Sequence, residues 1–247
     1  MVKRPLSIAD FPEGFESRLA ANLQDCRQRM AAAAQKAGRE EKEITLLTVT
    51  KYVDSGLMRV LHSLGIEDFG ENRSQEAVEK HRALSDLADA RIHFIGHLQR
   101  NKVRQAVEHC SSIHSLDSQR LLLELERRLE NPTTPVREIY VEVNLAGEDS
   151  KTGLPTGELP ALLDSISGCG KVRERISGLM TIPPFSEDPE DSRPYFAELR
   201  ELRDRFISSG HLPVNSGLSM GMSSDYEIAI EEGATVVRVG SAIYRQE

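Results

Sequence analysis

Lys51 is the residue whose type and position most directly permit chemistry. It follows the apolar stretch ITLLTV at residues 44–49 after one threonine, and it precedes the turn Val53, Asp54, Ser55, Gly56. An amine at the carboxyl end of a strand, dry and aimed into a cleft, can act as a nucleophile or form a Schiff base. Thr48 and Thr50 alternate with Val49, which lets both face inward and support the amine, and Tyr52 offers an aromatic wall. Far along the chain come two segments suited to an anion, SMGMSSD at residues 219–225 and RVGS at residues 238–241. Gly221 and Gly240 allow a backbone to approach a ligand closely. Ser219 and Ser241 add hydroxyls, and a helix starting at Ser223 or Ser224 would turn free amides towards an anion. An amine together with a phosphate cradle points to a phosphorylated carbonyl compound.

Each feature also has a plainer reading. Most lysines after strands are solvated. Ser223 or Ser224 can be a helix cap, and so can Asn72, which can equally hydrogen-bond a ligand. Arg238 adjoins the apolar pair Val236 and Val237, so strand alternation can turn it inward, where an arginine needs a partner. That partner is either a carboxylate such as Glu142 or a ligand acceptor at the mouth of the fold. His93 and His97 are four residues apart, but His93 sits in a strand pattern and Gly96 intervenes, so no shared face and no metal set results.

The elements that must position these residues alternate in type. Strand-like runs fall at residues 44–49, 66–69, 92–95, 112–116, 138–144, 176–180, 214–218 and 235–239. Helical patterns lie between them, at residues 57–64, 74–87, 101–109, 118–129, 159–167, 195–207 and 225–232. Eight alternations in a chain of 247 residues predict a single-domain (β/α)8 TIM barrel spanning residues 1–247. A doubly wound open sheet gives the same alternation and is the competing fold. An Ala-rich helix at residues 14–37, stopped by Gly38, stands outside the repeat as an N-terminal addition. Residues 130–135 and 183–194 read as surface loops. Barrel sites are built at the carboxyl ends of the strands. The candidates there are Lys51, Asn72, His97, Asp117, Asn144, Thr181, Ser219 with Gly221, and Gly240 with Ser241.

Bulk properties narrow the function. The net charge of -8 argues against a broad grip on nucleic acid. No apolar run approaches the roughly 20 residues that span a bilayer, and the N-terminus has no apolar signal core. Cys26, Cys110 and Cys169 are odd in number and widely spaced, as expected of free thiols in a reducing cytoplasm. No apolar surface stripe stands out, and a monomer is expected.

The sequence resembles the pyridoxal phosphate homeostasis proteins, the YggS/PROSC-type family, which look like the N-terminal barrel of bacterial alanine racemases without the second domain. The resemblance runs from Leu46 to Tyr244. It is carried by TVTK (48–51), FGEN (69–72), HFIGHLQRNK (93–102), SGLM (177–180), LSMGMSSD (218–225) and RVGSAI (238–243), in that order. It implies that Lys51 forms an internal aldimine with pyridoxal 5′-phosphate, that Ser219, Gly240 and Ser241 bind the phosphate, and that Arg238 faces the pyridine nitrogen. Asn72 and Gly221 join the cofactor-binding set. His97 stands where the family usually has proline, Ser241 where threonine is usual, and Arg245 where glycine is common.

An arginine only donates hydrogen bonds, so a ring nitrogen facing Arg238 stays unprotonated and the ring is a weak electron sink. The expected function is therefore a cofactor-holding protein, not an enzyme, with apo forms of pyridoxal phosphate-dependent enzymes as possible recipients. Two enzymes compete with this reading. A weak amino-acid racemase would need a second acid/base, such as Tyr52 or Tyr244. A Schiff-base aldolase acting on a sugar phosphate would need Glu71.

Overall fold

Eight parallel strands close on themselves: β1 Thr45–Val49, β2 Asp68–Glu71, β3 Arg91–Phe94, β4 Ser112–Leu116, β5 Glu138–Asn144, β6 Ile176–Met180, β7 Gly217–Met222 and β8 Val236–Val239. Each pairs with its sequence neighbour and β8 returns to β1, which makes a barrel and excludes the open sheet. A two-residue strand, Leu154–Pro155, lies beside the end of β5. The computed structural model describes residues 5–131, 134–147 and 152–246; of the expected loop at 130–135, residues 132 and 133 lie outside the described residues, as do residues 1–4 of the N-terminal segment.

Helices α2 Ser55–Ser63, α3 Ser74–Ala83, α4 Val103–His109, α5 Gln119–Arg128, α6 Leu159–Ser167, α7 Gly170–Arg173, α8 Arg193–Ser208, α9 Tyr226–Glu231 and α10 Ser241–Tyr244 follow the strands. Their starts have local causes. The Asp54 carboxylate accepts from the Leu57 amide and caps α2, and Ser118 does the same for α5 through Leu121. Prolines open α6 and α8, where a missing N–H costs nothing. Before them all comes α1, Phe15–Lys36, whose Phe15, Leu19, Leu23, Cys26 and Met30 form one buried face. Gly38, left-handed at φ 67°, follows its last turn, and the Arg39 amide reaches back to the Ala34 carbonyl. Helix α1 packs on α9 and α10. Its buried Asn22 donates to the carbonyls of Ile243 and Arg245, and Arg245 in turn pairs with Asp25. The residue standing where the family has glycine thus ties the last helix to the first.

Two cores result. The large one fills the space between sheet and helices. A small one lies inside the barrel, made by Leu47, Tyr140, Met180 and Val236 with Val49 and Ile95 against it. Leu47 and Val49 therefore point inward. The neighbouring Thr48 and Thr50 point outward, which corrects the inward placement expected for both threonines. Thr50 hydrogen-bonds Glu71 on the outer face.

The seventh strand is also displaced from expectation. It begins at Gly217 and runs to Met222, whereas the apolar run ended at residue 218, and Val214 is exposed ahead of it. Its inward positions before the register shift that precedes Met222 are Gly217 and Ser219, so it shows no apolar pattern on that side. At Gly221 (φ 91°) a Cβ would come within 2.5 Å of the Ala229 Cβ, so only glycine lets β7 lie against α9.

Candidate functional site

The register of β1 sets the position of Lys51. Leu47 and Val49 face the barrel interior, and Lys51 continues that parity past the end of the strand. It is half-buried, with Nζ 5.0 Å from the centroid of the Tyr52 ring. Strand β8 is the neighbour of β1, with Leu47 opposite Arg238 and Thr48 opposite Val239. Gly240 packs close to Val49, since a Cβ on it would lie 3.2 Å from the Val49 Cβ. The lysine, the arginine and the glycine turn thus come from two adjoining strand ends.

Arg238 is buried at 3% exposure. Its partners are neutral: Nη1 donates to Ser219 Oγ at 2.8 Å and Nη2 to the Thr181 carbonyl at 2.9 Å. The expected carboxylate Glu142 acts only through space, as does Asp225. Burial lowers the guanidinium to about 10, which leaves it cationic at neutral pH. A guanidinium carries five N–H donors, so donors remain for an acceptor beyond the protein. Burial also pushes the Glu142 carboxyl up, against the pull of its hydrogen bond from Thr152.

The anion turn differs in detail from the sequence expectation. Ser219 is fully buried inside β7, below Arg238, and its hydroxyl is engaged by Arg238 and His114. That removes it from the turn. The hydroxyl at the turn belongs to Ser223, whose Oγ accepts from the amides of Gly240 at 3.1 Å and Ala242 at 3.3 Å. Helix α9 starts later, at Tyr226, so Ser223 and Ser224 do not cap it; Asp225 instead accepts from the Met222 amide at 2.6 Å. Two amides after β8 converge on one oxygen, which is what a phosphate oxygen would need from them. Ser241 is exposed beside this point. Ser223 could have been found from the sequence by asking which serine follows the strand.

Other strand-end residues fill the rim. Asn72 caps no helix, because Arg73 occupies the N-cap of α3, and Gly96 lies so close to the Asn72 backbone that no side chain fits there. His97 approaches Asp117 at 3.3 Å, joining the loops after β3 and β4. Asn144 accepts from the Gly147 amide. Glu71 does not reach the mouth. It is buried on the outer face of β2, bound by Lys80 at 2.7 Å and by Thr50. Lys80 also donates to the Thr50 carbonyl at 2.8 Å, so the pair clamps the residue before Lys51. The Tyr244 hydroxyl is likewise buried, without a hydrogen-bond partner among the described residues. The aldolase and racemase readings therefore lose Glu71 and Tyr244 as groups facing a ligand at the mouth.

The opposite end of the barrel holds a cavity of about 720 Å³, lined among others by Asp68, Arg91, His93 and Arg137. Burial alone would raise Asp68, but hydrogen bonds from Arg91 and His93 outweigh it and hold the carboxyl at about 2. A carboxylate depressed from 3.8 contributes stability above its unfolded value and loses it as pH falls through 2. Wild-type protein is expected to lose on the order of 2 kcal/mol from this group between pH 5 and pH 2. Urea titrations of wild type and Asp68→Asn across that range check it; parallel pH slopes for the two proteins would refute it.

These features define a (β/α)8 barrel that presents a lysine, a buried arginine and an amide-lined turn at one mouth. The chain belongs to the family described as alanine racemase, N-terminal domain, whose sequence pattern matches residues 18–247. Within it, the chain belongs with the pyridoxal phosphate homeostasis proteins. It is 42% identical to the pyridoxal phosphate homeostasis protein of Aquifex aeolicus over 217 residues, 88% of this chain and 93% of that one. It is 38% identical to the protein of the same name from Pseudomonas aeruginosa, over 92% and 95% of the two chains. The structure of PipY from Synechococcus elongatus, solved with pyridoxal phosphate bound, superposes with a TM-score of 0.79 at 33% identity, covering 92% of this chain and all of PipY. Among the described residues no helix is long and apolar enough to cross a membrane.

Proposed function

We propose that this chain is a cytoplasmic, monomeric carrier of pyridoxal 5′-phosphate that holds the cofactor as an aldimine on Lys51 and releases it to apo-enzymes. The observation that carries this reading is the pairing of β1 with β8, which sets Lys51, the buried Arg238 and the Gly240 turn on adjoining strand ends. The residues suit the group. The Lys51 amine condenses with an aldehyde and releases one water. Arg238 has donors left for a ring nitrogen, and the amides of Gly240 and Ala242 that now meet Ser223 can meet a phosphate oxygen. When bound, pyridoxal phosphate supplies an electrophilic aldehyde and an electron-withdrawing ring.

The chain's residues favour holding over turnover. Arg238 cannot give its proton up to a ring nitrogen, so it donates a hydrogen bond and leaves the ring uncharged. An uncharged ring pulls less strongly on a carbanion than a protonated one, which discourages carbanion chemistry. Racemisation also needs an acid/base on the second face of the substrate; neither Glu71 nor Tyr244 reaches the mouth, which leaves only Tyr52, exposed beside Lys51, of the groups named for it.

Adding pyridoxal phosphate to purified protein should produce a visible absorbance band. Borohydride should fix one cofactor on the peptide that contains Lys51. A protein that shows no band at saturating cofactor would end this reading.

A further inference from the structure

The barrel interior contains a polar chain that no step above uses. Arg238 Nη1 lies 2.8 Å from Ser219 Oγ, which lies 2.8 Å from His114 Nδ1. His114 Nε2 is 3.4 Å from His93 Nδ1, and His93 Nε2 is 2.8 Å from Asp68 Oδ1. Arg91 closes the series with two 2.7 Å hydrogen bonds to the same carboxylate. All of these residues except Arg91 are buried.

With both histidine rings neutral, the two ends set the direction of the protons between them. A guanidinium only donates, so Ser219 accepts from Arg238 and has its own single proton free to send onward. Its receiver is His114 Nδ1, which must then carry a lone pair. Burial holds the His114 imidazole well below its usual range, and the charge of Arg238 pushes the same way, so the ring is neutral. A neutral ring with Nδ1 free carries its proton on Nε2, and that nitrogen donates to His93 Nδ1. His93 then carries its proton on Nε2 and donates to Asp68, an ionised acceptor. Every link points the same way, from the mouth to the cavity at the other end.

We infer that His114 and His93 are positioning residues for Arg238: by taking the Ser219 proton they keep a hydroxyl lone pair turned to the guanidinium and so fix its free donors towards the mouth. His114 is built into place for this. It stacks on Tyr140, ring centroids 4.5 Å apart and 25° from parallel. Without an acceptor at His114, the Ser219 hydroxyl can rotate its proton towards Arg238, and the guanidinium loses one of its two anchors. This inference rests on Arg238 meeting the ring nitrogen of the cofactor, and its test separates the two claims.

The first measurement uses the cofactor-free protein. Nitrogen-15 NMR of the histidine rings should show His114 and His93 both neutral, protonated on Nε2 and not on Nδ1. The reverse tautomer or a charged ring at His114 would overturn the relay whatever the cofactor does. The second uses protein loaded with pyridoxal phosphate labelled at the ring nitrogen. His114→Phe keeps the stacking and removes the acceptor. It should shift the ring-nitrogen resonance and speed cofactor loss on the order of tenfold, as expected for a weakened hydrogen bond to a charged group. His114→Asn, which restores an acceptor, should recover most of the effect, and Ser219→Ala should reproduce the phenylalanine result if that variant does not fold. An unchanged resonance and loss rate in folded His114→Phe or Ser219→Ala would overturn the positioning role. If wild type takes up no cofactor, the functional reading fails while the NMR result still decides the relay.

Discussion

Lys51→Ala is expected to lose the visible band and the borohydride-trapped adduct completely. The reason is geometric. Lys51 is the amine carried past the end of β1 on the inward parity set by Leu47 and Val49, beside the Gly240 turn. The nearest lysine behind that wall, Lys80, is buried on the other face and bound to Glu71 and to the Thr50 carbonyl, so it cannot substitute. The variant keeps Arg238 and the turn after β8, and should therefore retain a weak, non-covalent affinity that is lost on gel filtration. Lys51→Arg keeps the positive charge but has no amine able to form an imine, and should match the alanine variant. Mass spectrometry after reduction reads both. A stoichiometric adduct on another lysine in Lys51→Ala would show that the assignment is wrong.

Lys80→Met should be the most destabilising single change near the site. It leaves Glu71, fully buried, without its cationic partner, and removing one member of a buried ion pair costs about 3–5 kcal/mol. Chemical denaturation measures the loss. Glu71→Gln added to Lys80→Met should return much of it, because no charge is then stranded. The pH dependence distinguishes this from simple loss of packing. Burial raises the Glu71 carboxyl above its usual 4.5, against the pull of Lys80. A raised carboxyl contributes most below its unfolded value and loses that contribution as pH rises through the folded value. Without Lys80 the folded value moves higher, so the deficit of Lys80→Met should grow as pH rises from 4 to 7. A deficit that is flat over that range would assign the effect to packing alone.

The barrel was legible because six of the eight strands carry an apolar run that matches their position to within one residue. The seventh was misplaced for a physical reason: its inward side is glycine and serine, which hydropathy cannot distinguish from a loop. The second was displaced because Asp68 and Glu71 bound it. Lys51, Arg238 and Gly240 were legible because their place follows from strand parity and strand ends. Ser219 was expected just past the strand end and lies inside β7, since the misplaced strand carried through to the turn. Thr48 and Thr50 were turned to the wrong face by starting the alternation one residue out of phase. The relay through His114 and His93 was not readable at all. Its members come from five strands, and their protons are fixed by partners that only the closed barrel brings together.

The lacing of α1 to the end of the chain bears on how the protein is made. A ribosome delivers Phe15, Leu19 and Leu23 long before the α9 and α10 surfaces that cover them and the carbonyls that Asn22 binds. Until those are made, that greasy face has no native cover. Nascent chains should therefore lean on a chaperone at this helix, and native compaction should await the synthesis of α9 and α10.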